Sequence, residues 1–378
     1  MINFFKYEKI LFIFSVIFFL WLGGFFIYHF LISGKQTSQS PEVDNNIIIK
    51  ASIKRNKSFQ IKGSIPYWDQ NYAYDSFKKN KESFDYINLF WYYIGGDGGI
   101  QKYEYANEDE SIIDFAHKNN IKVHAVITNL TENPEKWNSG RVEEYINSNE
   151  KRKIHIDKII DKLNEKKFDG VIIDYEMLKV DTRENYSIFI KELSVEAKKE
   201  NKTVIVVLHP KTGENVKGES LGRYQDWVSL VNSADQAQIM GYSEHSNEDD
   251  PGPVASISWV GKIIEYAKTL NIPHEKLFLG IPLYGYDWDI KSTGPAKGVT
   301  YEEVVDLASR KAVELIKFDN LSKSPYFKYE NHLVWFENSR SVVEKADLAY
   351  DAGFGGITFW RLGGEDQEVW EKLSKYRD

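Results

Sequence analysis

The sequence of 378 residues contains no cysteine. Without cysteine, neither a disulfide framework nor a cysteine-based metal site can form. The eight histidines form no cluster and no HExxH motif, so we predict that the protein binds no metal and no other cofactor. The net charge is −8, and the sequence contains no stripe of basic residues. Both features argue against nucleic acid as a partner.

One long hydrophobic run lies near the amino terminus. Residues Ile10 to Ser33 include no Asp, Glu, Lys or Arg, and at ~1.5 Å per residue they span the ~30 Å hydrocarbon core with some tilt. No small-residue cleavage site follows, so the run favours an uncleaved transmembrane helix over a cleavable signal peptide. Lys6 and Lys9 before it and Lys35 after it indicate weakly that the amino terminus lies inside. We therefore expect a cytoplasmic tail at 1–9, a cell-membrane anchor at 10–33, a polar tether at 34–60 and an extracytoplasmic domain at 61–378.

Beyond residue 60, short apolar runs alternate with helical patterns. The predicted strands begin near Ile61, Tyr86, Ile121, Phe168, Thr203, Gln236, Leu277 and Gly355. Ile156, Ile159, Ile160 and Leu163 follow the spacing of a helix face, as do Tyr186, Phe189, Ile190 and Leu193. This alternation over ~320 residues predicts an α/β fold, the (β/α)₈ TIM barrel. A doubly wound sheet is the alternative, but Ser64–Asn71 after the first strand contains no Gly-rich phosphate turn.

The interval between the seventh and eighth strands is longer than one crossover helix needs. It contains the run SPYFKYENHLVWFEN, which predicts a hairpin with its turn at Asn331-His332. We therefore expect a small α+β insertion at about 287–340.

Two carboxylates end the fourth predicted strand. Because side chains alternate along a strand, Ile172, Asp174 and Glu176 share one face. Acids on a buried strand face are costly unless they are solvated, paired or used. A strand end that simply emerges into water is the bland alternative.

The run from Asp169 to Glu176 resembles the signature of the family 18 glycoside hydrolases, the chitinase-like barrels. Their pattern is Asp-Gly-x-Asp-x-Asp-x-Glu, and this chain departs from it at Ile172. Further runs resemble the family's sixth, seventh and eighth strands, namely Gln238–Tyr242, Leu279–Gly285 and Gly355–Trp360. Residues Pro251–Ser256 resemble the bacterial branch of N-acetylglucosaminidases, which trim peptidoglycan or spore cortex, more than they resemble secreted chitinases. Many members also insert a small α+β subdomain before the last strand.

The resemblance implies roles for individual residues. Glu176 would be the general acid, Asp174 the group that orients the substrate amide, Tyr242 a hydrogen-bond donor to that amide and Trp360 the floor beneath the reacting sugar. Because Ile172 offers Asp174 no carboxylate partner, we expect Asp174 to form its hydrogen bonds upward, to Glu176, to Tyr242 or to the bound amide. Further substrate-binding candidates come from the other strand ends and the family motifs: Tyr67, Trp91, Asn129, Met240, Tyr284 and Glu244.

These features predict a membrane-anchored glycosidase that hydrolyses β-linked N-acetylglucosamine glycans with help from the substrate's own acetamido group. Its partner would be an N-acetylated polysaccharide, either peptidoglycan or chitin. The alternative is a catalytically weak or inactive chitinase-like lectin, since both Ile172 and Ser243 depart from the family pattern. The sequence leaves the choice of substrate open.

Overall fold

The computed structural model describes residues 59–377, except 133–134, 215 and 217–219. The predicted anchor at 10–33 and nearly all of the tether therefore lie outside the described residues. Within the described ranges, no helix is both long enough and apolar enough to cross a membrane.

Sixteen strands form three sheets in this part of the chain. They are β1 (Gln60–Pro66), β2 (Tyr86–Ile94), β3 (Ile100–Lys102), β4 (Lys122–Thr128), β5 (Leu130–Glu132), β6 (Glu135–Trp137), β7 (Gly170–Asp174), β8 (Thr203–Leu208), β9 (Gln236–Ile239), β10 (Leu277–Pro282), β11 (Tyr284–Asp289), β12 (Lys297–Thr300), β13 (Lys317–Asp319), β14 (Ser324–Tyr329), β15 (His332–Trp335) and β16 (Gly356–Trp360).

Eight of these strands close into a parallel barrel, which confirms the predicted architecture. Their order is β1-β16-β10-β9-β8-β7-β4-β2, and β1 also pairs with β2. Strand β3 adds to β2 in the antiparallel sense as a hairpin. Each predicted strand starts within two residues of its prediction. The barrel strands are buried over most of their length, as expected for parallel strands that helices cover on the outside.

Ten helices occur in the described ranges. They are α1 (Gln70–Lys79), α2 (Glu110–Lys118), α3 (Ser139–Ile146), α4 (Asn149–Glu165), α5 (Arg183–Lys199), α6 (Trp227–Ser233), α7 (Ile257–Thr269), α8 (Tyr301–Arg310), α9 (Ser339–Asp351) and α10 (Glu368–Leu373). The apolar spacing predicted for α4 and α5 is the buried face of each helix. The Ser148 side chain accepts a hydrogen bond from Lys151 N and thereby caps α4 at its amino end.

The insertion between β10 and β16 is a five-stranded antiparallel sheet with α8. Its strand order is β12-β11-β15-β14-β13, and it begins at Tyr284 rather than near residue 287. A small core of its own includes Val304, Phe327 and Val334. The predicted hairpin is present, but its turn is Glu330-Asn331 because Tyr329 pairs with His332. Glu330 adopts a φ of 45°, so the chain reverses one residue earlier than the prediction.

The central strand β7 places the carboxylates at one end of the barrel. It pairs with β4 on one side, where Asp174 lies opposite Thr128, and with β8 on the other. The strand ends at Asp174, and Glu176 lies two residues beyond it in the following loop. Both acids are therefore at the carboxyl-terminal face, where TIM barrels place their chemistry.

Candidate active site

The carboxyl ends of the barrel strands surround a cleft of about 500 Å³. Its volume lies in the range of small-molecule sites. The walls are mainly aromatic and aliphatic, and the ionisable groups are gathered on one side. The lining residues include Trp68, Phe90, Asp174, Glu176, His209, Met240, Tyr242, Glu244, Tyr284 and Trp360.

Asp174 is partly buried, and its Oδ1 atom is fully enclosed. Within the described part of the chain no group hydrogen-bonds this oxygen, so the expected upward bond is not formed by Oδ1. Burial raises the pKa of Asp174 to about 7, because an enclosed carboxylate loses its hydration. Asp174 is therefore a carboxyl group that gains or loses its proton near neutral pH.

Glu176 is held by its backbone while its side chain faces the cleft. Asn129 Nδ2 donates to Glu176 O at 2.9 Å, and Glu176 N donates to Asn129 Oδ1 at 2.8 Å. The side chain is only 15% exposed. Burial, together with the negative charge of Asp174, raises the pKa of Glu176 well above its usual range. Glu176 is thus suited to carry a proton at neutral pH and to donate it.

His209 follows β8 and lies against this acid. Its Nε2 atom is 3.3 Å from Glu176 Oε2, although the two are not aligned as a hydrogen bond. Burial, with a smaller effect of the positive charge on Lys211, lowers the pKa of His209 to about 4. The imidazole is therefore neutral near pH 7. The sequence places His209 at a strand end, but no family motif marks it.

Aromatic rings form the rest of the cleft. The ring centroids of Tyr242 and Tyr284 are 6.5 Å apart, and the angle between the ring planes is 70°. For Trp68 and Trp360 the centroid distance is 6.0 Å and the angle is 67°. Flat apolar faces with polar edges match the faces and hydroxyl groups of a pyranose ring. The structure thus brings Tyr242, Tyr284 and Trp360 together as the sequence predicts.

Three predicted substrate-binding residues lie elsewhere. Trp91 is 0% exposed and packs near Phe168 behind the barrel wall, because alternation along β2 turns Phe90 inward and Trp91 outward. Tyr67 stacks on Tyr103 at 4.4 Å and is not among the residues that line the cleft. Asn129 is buried, and its side-chain amide forms hydrogen bonds with the Glu176 backbone.

Phe90 and Trp68 are the lining residues that replace Trp91 and Tyr67. Each is the neighbour of the predicted residue in the chain. For Trp91 the error is one of strand phase, whereas Tyr67 and Trp68 lie in the short helical turn after β1. For β2, the alternation of side chains could have distinguished Phe90 from Trp91 only if the inward phase had been known.

Met240 and Glu244 line the cleft as predicted. Both Glu244 oxygens are already engaged, because Ser256 N donates to one at 2.6 Å and Ser256 Oγ to the other at 2.9 Å. Ser256 caps the amino end of α7, so Glu244 fixes this loop to the helix. Across the described ranges, no three His, Asp or Glu side chains are grouped as metal ligands would be.

The cleft therefore combines an acid whose pKa is raised, Glu176, with a second carboxyl group, Asp174, and aromatic walls. The sequence model for the family described as glycosyl hydrolases family 18 matches residues 64–366. The chain belongs to this family. It is a glycosyl hydrolase with the family's barrel.

Two bacterial relatives illustrate the similarity of this family 18 chain. It is 27% identical over 266 residues to the uncharacterized glycosylase YvbX of Bacillus subtilis, covering 69% of this chain and 76% of the relative. It is 28% identical over 263 residues to the cortical fragment-lytic enzyme of the same organism, covering 68% of this chain. That match spans 60% of the enzyme's own length.

Solved structures agree on the fold. The spore cortex-lytic enzyme SleL of Bacillus megaterium QM B1551 superimposes with a TM-score of 0.76 at 24% identity, covering 85% of this chain and 75% of that one. A chitinase from Chromobacterium violaceum ATCC 12472 gives a TM-score of 0.76 at 25% identity, covering 85% of this chain and 99% of that one.

Proposed function

We propose that the protein hydrolyses β-linked N-acetylglucosamine glycans of the peptidoglycan or chitin type. The observation that carries the proposal is the pairing of Glu176, whose pKa is raised by burial and by Asp174, with an aromatic cleft of about 500 Å³. The similarity to the cortical fragment-lytic enzyme of Bacillus subtilis and to the chitinase of Chromobacterium violaceum supports this substrate class.

The placement of the acids favours substrate-assisted catalysis. Most glycosidases hold two carboxylates on opposite sides of the scissile bond, ~5–9.5 Å apart. Asp174 and Glu176 leave the same strand end two residues apart, so Asp174 is badly placed to attack the anomeric carbon from the face opposite Glu176. The acetamido oxygen of the substrate can attack that carbon instead, and this requires an N-acetyl sugar.

In the first step, Glu176 donates its proton to the leaving glycosidic oxygen as the acetamido oxygen bonds to the anomeric carbon. An oxazolinium ion forms, and Glu176 is left as a carboxylate. Asp174 accepts a hydrogen bond from the amide N–H and stabilises the positive charge that develops there. Tyr242 donates a hydrogen bond to the carbonyl oxygen of that amide.

In the second step, the Glu176 carboxylate takes a proton from water, and the hydroxide opens the oxazolinium ion with retention of configuration. Glu176 regains its proton and the cycle is complete.

We also propose that residues 10–33 anchor the protein in the cell membrane, with the barrel on the extracytoplasmic side. The support is the uncharged run in the sequence. An anchored enzyme would act on glycans near the cell surface, which favours the peptidoglycan of the cell itself over distant chitin.

The test is to digest purified peptidoglycan and chito-oligosaccharides side by side and to identify the products by mass spectrometry. We expect products ending in reducing N-acetylglucosamine from at least one substrate. Glu176→Gln keeps the shape of the side chain but lacks the transferable proton, so turnover should fall on the order of a hundredfold or more while glycan binding survives. Binding by the wild-type chain without cleavage of any N-acetylated glycan would establish the lectin alternative instead.

A further inference from the structure

His209 touches the proposed general acid, and the mechanism above gives it no role. The ring is 5% exposed, and its Nε2 atom is enclosed 3.3 Å from Glu176 Oε2. No other group in the described chain forms a hydrogen bond with this nitrogen. A buried polar atom without a partner is unfavourable, so a small rotation that aligns it with Glu176 is favourable.

The surrounding residues hold His209 in place. Its backbone N–H donates to Gln225 Oε1 at 2.7 Å, and Gln225 Nε2 donates to Val207 O at 2.9 Å. Tyr224 packs edge-on against the imidazole with ring centroids 6.0 Å apart, and its hydroxyl donates to Tyr175 O at 2.6 Å. The neighbouring residues Tyr224 and Gln225 therefore hold both His209 and the backbone of Tyr175, which directly precedes Glu176.

Burial, with a smaller effect of the positive charge on Lys211, lowers the pKa of His209 and favours a neutral imidazole. Lys211 Nζ is buried behind His209, donating to Gln225 O at 2.8 Å and lying 3.4 Å from Glu214 Oε2. The other ionisable groups that face Glu176 from the packed elements are an aspartate and three phenols: Asp174, Tyr186, Tyr224 and Tyr242. Glu244 and Tyr284 also line the cleft. A neutral His209 contributes an N–H donor without adding a full positive charge that would ionise Glu176 early.

We infer that His209 is a positioning residue for Glu176. The Nε2–H group of His209 donates a hydrogen bond to Glu176 Oε2 and leaves the transferable proton on Glu176 Oε1. The inference rests on the proposed function, since it concerns the acid of that mechanism. The bond strengthens when Glu176 loses its proton, because a donor stabilises a carboxylate more than a carboxylic acid. His209 therefore also stabilises the carboxylate that the first step leaves behind.

The decisive experiment measures the pKa of Glu176 without any substrate. The full chain is titrated by difference infrared spectroscopy, and Glu176→Gln supplies the reference spectrum. His209→Gln keeps an amide N–H close to the position of Nε2, whereas His209→Asn is one methylene shorter and cannot reach. We expect the pKa of Glu176 to rise by about one unit in the Asn variant, because a donor to the charged form is lost, and to stay near wild type in the Gln variant.

Equal shifts in the two variants, or no shift in either, would overturn the inference. On a hydrolysed glycan, the basic limb of the pH profile of kcat should move upward in the Asn variant with KM unchanged. Failure of every form to hydrolyse glycan would count against the proposed function and leave the titration result intact.

A second measurement avoids dependence on the folding of the Asn variant. In the wild-type full chain labelled with ¹⁵N-histidine, the Nε2 resonance of His209 should report a protonated nitrogen. The chemical shift of this resonance should also change as Glu176 ionises, and this change should be absent in Glu176→Gln. An Nε2 atom that carries no proton at neutral pH would overturn the assignment.

Discussion

Asp174 lies directly above an aliphatic side chain in the barrel interior. Ile172 and Asp174 border the same small cavity, whose other walls include Ser64, Asn88 and Gln238. Ile172 supplies neither a hydrogen bond nor a shared proton, and Oδ1 of Asp174 has no partner in the described residues. Ionisation at this position is therefore costly until the acetamido group of a substrate arrives.

The raised pKa of Asp174 makes a prediction about stability. Between the unfolded value of ~3.9 and about 7, the folded chain binds more protons than the unfolded chain. Stability is therefore lost as pH rises through this window and stays lower above it. Asp174→Asn removes that loss, so its free energy of unfolding should exceed that of wild type by on the order of 2 kcal/mol at pH 8–9, after discounting for partial exposure.

The measurement is denaturant unfolding of both proteins at pH 5 and at pH 8–9. At pH 5 the difference between the two curves should be clearly smaller, because only the lower part of the window between ~3.9 and about 7 has then been crossed. Activity should be severely impaired in the variant at both values. A variant that is less stable than wild type at the higher pH would show that Asp174 is stabilised as a carboxylate in the free protein.

The elements position the site by strand phase. Side chains on β2 alternate, so Phe90 points into the cleft and Trp91 is buried against Phe168 on the other side of the strand. The register of β2 against β4 shifts between Phe90 and Tyr92, and such an irregularity changes where the strand end aims its side chains. Trp68 lies in the short helical turn after β1 and reaches the cleft with 51% of its surface exposed.

Two tryptophans at neighbouring strand ends give a matched test of this arrangement. Trp68→Ala removes an exposed ring from the cleft, so KM for the glycan should rise roughly three- to tenfold with little change in stability. Trp91→Ala leaves a cavity behind the barrel wall and should cost ~3–5 kcal/mol of stability. KM of the folded Trp91→Ala protein should match wild type. Unfolding curves and steady-state kinetics on both variants check this, and the reverse pattern would return Trp91 to the cleft.

At the scale of the whole molecule, the barrel and its insertion belong to one chain segment, and the predicted anchor lies in another. Residues 64–366 match the family, and the structure describes a closed barrel within residues 59–377. Within the described residues, the barrel buries a core of its own.

The anchor proposal predicts different behaviour for two forms of the protein. The full chain should sediment with membranes and resist extraction by alkaline carbonate, because residues 10–33 remain in the hydrocarbon core. A chain that starts near residue 59 should be soluble, folded and active on the same glycans. Recovery from cells of a mature chain cleaved near Gly34 would replace the anchor with a signal peptide.

The sequence by itself determined the barrel, its insertion and the identity of the two acids. Apolar runs with regular spacing specify strands and helices locally, and the run from Asp169 to Glu176 carries its signature in consecutive residues. These features depend on neighbours along the chain, which is why they can be predicted. The hairpin turn was wrong by one residue because pairing across the strands sets it.

Only the tertiary structure decided which side chains share the cleft. Asn129 carries an amide that a sugar could use, but packing turns it onto the Glu176 backbone. His209 meets Glu176 because β7 and β8 are neighbours with their ends side by side. Burial, and hence the raised pKa of both acids, also arises only when the strands close, since desolvation depends on residues far apart in the chain.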